Sequence, residues 1–219
     1  MSRLRTLAGV ALVLNLVAAG CSITSPRPDL SQYYVLTAIT PPSSTPISRQ
    51  PPSIGLGPIN LPGYLDHDEI VTRVGPNQLD LSPTDRWAEP VDQNFKNVLA
   101  RNLGELIGTD QIVQFPWFSN AKLDYKIELN VSRFDADKSG VVTLNAKWII
   151  RDPRSSRILL VRESALTQQA SSTSTAAEVA ALSQTLGSLS QAIASAILQL
   201  QAQETQSSAR NLAHAYPSV

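Results

Sequence analysis

Cysteine offers the most chemistry of any side chain here, and this 219-residue chain has one, Cys21. It closes the segment Ala18-Ala19-Gly20-Cys21, after an apolar run from Leu7 to Val17 that itself follows Arg3 and Arg5. A basic start, an apolar middle and small residues before a cut describe an export signal. A cysteine directly after the small residues is the pattern of a lipobox. Cleavage after Gly20 would make Cys21 the first residue, with lipid on its sulfur and on its new amino group. Two other readings compete. A transmembrane helix needs ~20 apolar residues, and this run is broken by Asn15 and ends at Gly20. An ordinary secretory signal cut at the same place would leave a free thiol in an oxidising compartment. Lipidation accounts for both the position of the cysteine and the lack of a second one. Ser22, not Asp, follows it; by analogy with enterobacterial sorting this points to the outer membrane facing the periplasm, with the inner membrane as the other choice.

Other reactive groups are sparse. Of the two histidines, His214 sits in a polar tail and His67 lies in Asp66-His67-Asp68-Glu69. That cluster could bind a metal or move protons, but its ligands are consecutive and not spaced to converge, so it reads as a solvated turn. Gly55-Leu56-Gly57 runs into Pro58-Ile59-Asn60 and fails the dinucleotide fingerprint; no Gly-Lys-Ser/Thr phosphate loop or Gly-x-Ser-x-Gly elbow occurs. The expectation is a non-enzymatic protein with no catalytic residue, cofactor or metal site. Formal charge is zero, and because the first twenty residues hold Arg3, Arg5 and no acid, 16 basic face 18 acidic residues beyond them, net −2. There is no basic block for nucleic acid.

The elements that would carry these residues follow from periodicity. Residues 1–20 read as the lipoprotein signal, 21–30 as a lipidated tether with Pro26 and Pro28, 31–203 as one domain, and 204–219 as a polar, flexible tail. Within the domain, Gln32 to Ala38 is strand-like, and Pro41-Pro42-Ser43-Ser44-Thr45-Pro46 is a surface loop. Ser53–Ile59 is a strand, and Glu69–Val74 with Gln78–Leu81 form a hairpin around Gly75-Pro76-Asn77. Asp85 is placed to cap a helix running to Ile107, whose stripe starts at Trp87 and includes Val91, Phe95 and Leu103. Leu123, Tyr125, Ile127, Leu129 and Val131 alternate with polar residues, and a meander continues through Asp137-Lys138-Ser139-Gly140 to Val142–Ile150 and then Arg157–Thr167. A long helix from Thr175 to Ala202 carries Leu182, Leu186, Leu189, Ile193 and Leu200 inward. Its charge-poor outer face would hold Ser183, Gln184, Ser188, Ser190, Gln191, Ser195 and Gln199. The predicted fold is α/β, α+β-like: a single domain with a mixed, mostly antiparallel sheet and two main helices packed on it.

Ile54-Gly55-Leu56-Gly57-Pro58-Ile59, Leu61-Pro62-Gly63-Tyr64-Leu65-Asp66, Ile70-Val71-Thr72-Arg73, Arg86-Trp87-Ala88-Glu89-Pro90 and Leu99-Ala100-Arg101-Asn102-Leu103 follow in that order. With Tyr33-Tyr34-Val35-Leu36 and the lipobox, the pattern resembles the PqiC/YmbA family of ABC-type transport auxiliary lipoproteins. The resemblance implies an outer-membrane lipoprotein that partners an MCE-domain protein and its inner-membrane permease in moving phospholipid-like molecules between the membranes. It also implies helices on a sheet and admits a ring-shaped homo-oligomer. It brings no catalytic residues, and only Cys21 carries defined chemistry. Arg73 and Arg86 are expected to pair with acids such as Asp85 or Glu89, or to face a partner. The alternative function is an independent periplasmic carrier that holds a lipid in its own core.

Overall fold

The computed structural model describes residues 28–39, 51–117 and 121–215. The chain divides at Ser31 into a first unit ending there and a second beginning at Gln32. In the first, the Ser31 N–H donates to Asp29 Oδ1 at 2.9 Å. The second contains β1 (Gln32–Tyr34), β2 (Ile54–Asn60), β3 (Glu69–Gly75), β4 (Gln78–Trp87), α1 (Val91–Ile107), β5 (Ile112–Gln114), β6 (Tyr125–Asp137), β7 (Val141–Arg151), β8 (Ile158–Gln169) and α2 (Thr175–Ala215).

The strands make one mixed eight-stranded sheet. The meander β6–β7–β8 is antiparallel, as is the β3–β4 hairpin. Shorter parallel pairs join β1 to β4, β2 to β5 and β6, and β3 to β6. Because β7 occupies one edge of β6 along its length, β2 and β3 share the other edge, β2 over the first half and β3 at the end. Period-2 patterning sets the inward face: Ile127, Leu129 and Val131 stand opposite Ile150, Trp148 and Ala146, all buried. The register shifts between Val131 and Arg133. Beyond that bulge Phe134 and Ala136 take the inward positions opposite Leu144 and Val142, so Arg133 and Asp135 turn to the other face.

Both helices cover the inward face, α1 over β2 and β5 and α2 over β6, β7 and β8, and the two helices touch each other. Phe95, Leu99 and Leu103 of α1 and Leu186, Leu189, Ile193 and Ile197 of α2 are fully buried. The Phe95 ring meets Phe134 edge-on, with centroids 5.2 Å apart and planes at 86°. Gly108 ends α1 with a left-handed φ of 74°, which favours glycine.

The start of α1 differs from expectation. Asp85 does not cap it, and Trp87 belongs to β4. Residues 85–87 are held as strand by β1, through Gln32↔Asp85 and Tyr34↔Trp87. Pro90, which has no N–H to lose, stands at the N-cap. Asp85 instead accepts from Ser82 Oγ at 2.9 Å and Thr175 Oγ1 at 2.8 Å. At the other end of the chain, α2 runs on past Ala202 to Ala215. Residues 202–206 are Ala, Gln, Glu, Thr and Gln, with no Gly or Pro to stop a helix.

After β1, residues 35–39 form an extended strap in the groove between α1 and α2. The Leu36 N–H donates to Asn94 Oδ1 (2.6 Å), the Thr37 N–H to Ser183 Oγ (3.1 Å) and the Ile39 N–H to Asn102 Oδ1 (2.9 Å). Asn102 Nδ2 in turn donates to Ser190 Oγ at 3.1 Å. Ser183 and Ser190, expected on the outer face of α2, are therefore buried in this groove. The exposed stripe consists of Gln184, Ser188, Gln191, Ser195 and Gln199. Ile39 lies against Gly187, where a Cβ would meet Ile39 Cγ2 at 2.3 Å, so no larger residue fits without moving the strap.

Candidate functional site

Cys21 lies outside the described residues. Of the Asp66–Glu69 cluster, Asp66, His67 and Asp68 are exposed. Glu69 is engaged by Arg86, with Nη1 2.6 Å from Oε1. That guanidinium holds the Glu69 carboxyl below its ordinary value. Among the described residues no three His, Cys, Asp or Glu side chains converge to hold a metal.

What the fold does assemble is a polar node on the face away from the helices. Asp135, with its side chain wholly buried, accepts from Tyr64 OH at 2.7 Å, from Arg73 Nε and Nη2 at 3.1 and 2.8 Å, and from Arg133 Nε at 2.9 Å. Arg73 also lies over the Tyr64 ring, 5.6 Å from its centroid. The Tyr64 hydroxyl accepts the Phe134 N–H at 3.1 Å. Burial, and then the bond to Asp135, pushes the Tyr64 hydroxyl up to about 12. A carboxylate taken out of water is costly unless charged donors surround it. Here the donors are two guanidiniums and a phenol, and no buried side-chain nitrogen or oxygen among the described residues lacks a partner.

The node fixes a loop. Tyr64 sits in a 3-10 turn, Gly63–Leu65, entered through Pro62, and Leu65 is buried beneath it. Beside the turn, Asn60, Leu61, Asp66, Asp68, Val91 and Asp92 border an open cleft of about 380 Å3. Its floor is aliphatic and its rim carries carboxylates, of which Asp92 is paired with Lys96 at 2.7 Å. The remaining motif residues shape the same corner. Trp87 is core, Glu89 accepts from Asn94 Nδ2 at 2.5 Å, and Pro90 starts α1. Arg73 and Arg86 thus pair with Asp135 and Glu69, and not with Asp85 or Glu89. Asp135 carries no signal in the sequence, because only the bulge in β6 brings it under Tyr64.

The arrangement positions a surface loop. Comparison with known proteins agrees with the architecture. A family described as "ABC-type transport auxiliary lipoprotein component" matches residues 34–194. Comparison with curated proteins gives no match. A crystal structure from Xanthomonas campestris, of family DUF330, is 21% identical, with a TM-score of 0.67 over 80% of this chain and 99% of that one. A crystal structure of an uncharacterized protein is 20% identical, with a TM-score of 0.63 over 76% of this chain and 98% of that one. At those identities the likeness is one of fold.

Proposed function

Because this chain belongs to the family of ABC-type transport auxiliary lipoprotein components, we propose that it is a non-enzymatic, lipid-anchored member of an MCE-type system moving phospholipid-like molecules between inner and outer membranes. The observation that carries this reading is the family match over 34–194 joined to the lipobox that ends at Cys21. Acyl chains on Cys21 hold the body at the periplasmic face of the outer membrane; stable anchoring takes more than one chain. The body then docks an MCE-domain protein that reaches its inner-membrane permease, acting as a homo-oligomeric ring. The motif-built corner around Tyr64 is the face offered to that partner, and its exposed Asp66 and Asp68 would meet a basic surface. The packed core supports this role over that of an independent carrier. Trp148, Phe95 and Phe134 fill the space between sheet and helices, and four open clefts among the described residues hold about 210 to 400 Å3 each, at the low end of ligand sites.

The test is a detergent-solubilised pull-down of the full-length tagged protein with mass spectrometry, beside Cys21→Ser and Asp66→Lys/Asp68→Lys. Recovery of an MCE protein with its permease, lost in the charge-reversed variant, supports both the function and the docking face. Recovery of phospholipid without any MCE protein would replace the reading with a carrier.

A further inference from the structure

We propose that copies of this chain join edge to edge through their sheets, β8 of one against β5 of the next, parallel and in register. This rests on the homo-oligomeric part of the reading above and assigns the surface that makes it. It begins from two open edges. β8 pairs with β7 alone, so among the described residues its other edge is free for twelve residues. It contains no Pro or Gly, and its one irregularity lies at its start, between Ile158 and Leu160. Across the sheet, the three-residue β5 pairs with β2 alone. An open edge presents a row of N–H and C=O groups that a further extended strand completes.

The two edges match in height, face and direction. Register carries one row across five strands, through Val113, Gly55, Lys126, Arg151 and Ile158. Two residues further along β5 and β6, a second row leads from Phe115 and Glu128 to Ile149 and Val161. Both rows face away from the helices, because the neighbouring Ile54, Ile127 and Ile150 point inward and are fully buried. At both ends of each row the side chains are apolar and wet. Val113 and Phe115 are 37% and 53% exposed, and Ile158 and Val161 are 48% and 45% exposed. The glycines of the Ile54–Ile59 motif seat the β5 side of this surface. A Cβ at Gly57 would meet Phe115 Cβ at 2.7 Å, and one at Gly55 would meet the Trp117 ring at 3.3 Å. Phe115 and Trp117 stack edge-on, with centroids 5.2 Å apart. Strand direction agrees as well. β5 runs parallel to β2 and β2 to β6, and β6, β7 and β8 alternate, so β5 and β8 point the same way. Continuing the sheet from copy to copy places Val113 beside Ile158 and Phe115 beside Val161, with the helices of every copy on one side. Pairing β8 with β8 would leave Val113 and Phe115 wet. A head-to-tail contact closes into a ring or winds into a filament, and pairing without slip along the strands keeps successive copies level, as a ring requires.

Cysteine pairing in the full-length protein in detergent tests this. Across adjacent strands Cα atoms stand about 4.8 Å apart, inside the range of about 4.4–6.8 Å that a disulfide spans. On oxidation, Val113→Cys/Ile158→Cys and Phe115→Cys/Val161→Cys are each expected to give a ladder of covalent oligomers. The single variants and the out-of-register pair Val113→Cys/Thr167→Cys should give only the pattern of the native protein. Size-exclusion chromatography with light scattering reads the same contact without oxidation. Val161→Lys is expected to turn the native oligomer into monomer at an unchanged melting temperature, and Val161→Lys/Phe115→Glu to restore the oligomer. A monomeric native protein would overturn the pairing, as would an oligomeric Val161→Lys or an equal ladder from the out-of-register pair. A covalent dimer from Ile158→Cys alone, or an MCE-domain protein cross-linked there in place of a second copy, would overturn it too. Failure of the transport reading shows separately: the pull-down then recovers no MCE-domain protein while the matched pairs still give their ladder.

Discussion

At the scale of single residues the molecule turns on Asp135. Replacing it with Ala leaves Arg73, Arg133 and Tyr64 facing one another without their acceptor. Because both guanidiniums reach solvent, the expected loss is about 3 kcal/mol, the lower end of the cost of breaking a buried ion pair, read as a fall in the urea midpoint at unchanged slope. Tyr64 gives the node a pH signature. Its hydroxyl titrates at about 12 against an ordinary 10.0. The folded state thus keeps a proton that the unfolded state gives up, so its contribution is complete below pH 10 and disappears as pH rises toward 12. Tyr125, raised by burial and by its bond to Glu204, acts in the same direction. Tyr64→Phe should therefore make the alkaline fall in stability shallower without abolishing it; a titration of the urea midpoint above pH 9 that matches the native protein would refute this. The node was half legible in the sequence. Tyr64 and Arg73 stand out as parts of ordered motifs. Asp135 does not, since alternation read through Val131 assigns faces that the bulge then exchanges.

At the scale of elements, periodicity served well wherever one face is dry. The β6–β7 alternation up to Val131, the turn at Asp137–Gly140 and the helix stripes from Val91 and from Leu182 fall where their residue types put them. It failed where tertiary pairing overrides local pattern. Residues 85–87 look like a helix entry but are held as strand by β1, a partner some fifty positions upstream. Ser183 and Ser190 look like a wet face, but Ser183 accepts from the strap's Thr37 N–H and Ser190 from Asn102 Nδ2. Two predictions belong here. Phe95→Ala removes the α1 ring that packs edge-on against Phe134 and should cost about 3–5 kcal/mol, seen as a lowered denaturation midpoint. Ser174 Oγ accepts the Ala177 N–H at 3.3 Å at the start of α2, so Ser174→Ala should cost about 1 kcal/mol and leave the β6–β7 amides as protected as before.

At the scale of the whole molecule, the fold class was readable because a two-layer arrangement follows from amphipathic helices and a half-wet sheet, and the family from its resemblance in the ordered motifs between Ile54 and Leu103. The pairing of β2 with β5 and β6 was not, since nothing local in Ile54–Asn60 names its neighbours. The anchor makes the simplest prediction. Cys21→Ser should remove the acyl mass seen on the native protein by intact-mass spectrometry, and a native protein without that mass would count against lipidation.

The placement of β2 also bears on how the polypeptide is made. Its neighbours both come later: Ile54 pairs with Ile112 and with Tyr125. As the chain leaves the ribosome, this strand waits for roughly seventy further residues before its inner neighbour exists. Non-local pairings of this kind form slowly. A nascent chain built this way stays threadable during synthesis. For a polypeptide bound for a translocation channel, delayed closure of the sheet is an advantage written into strand order.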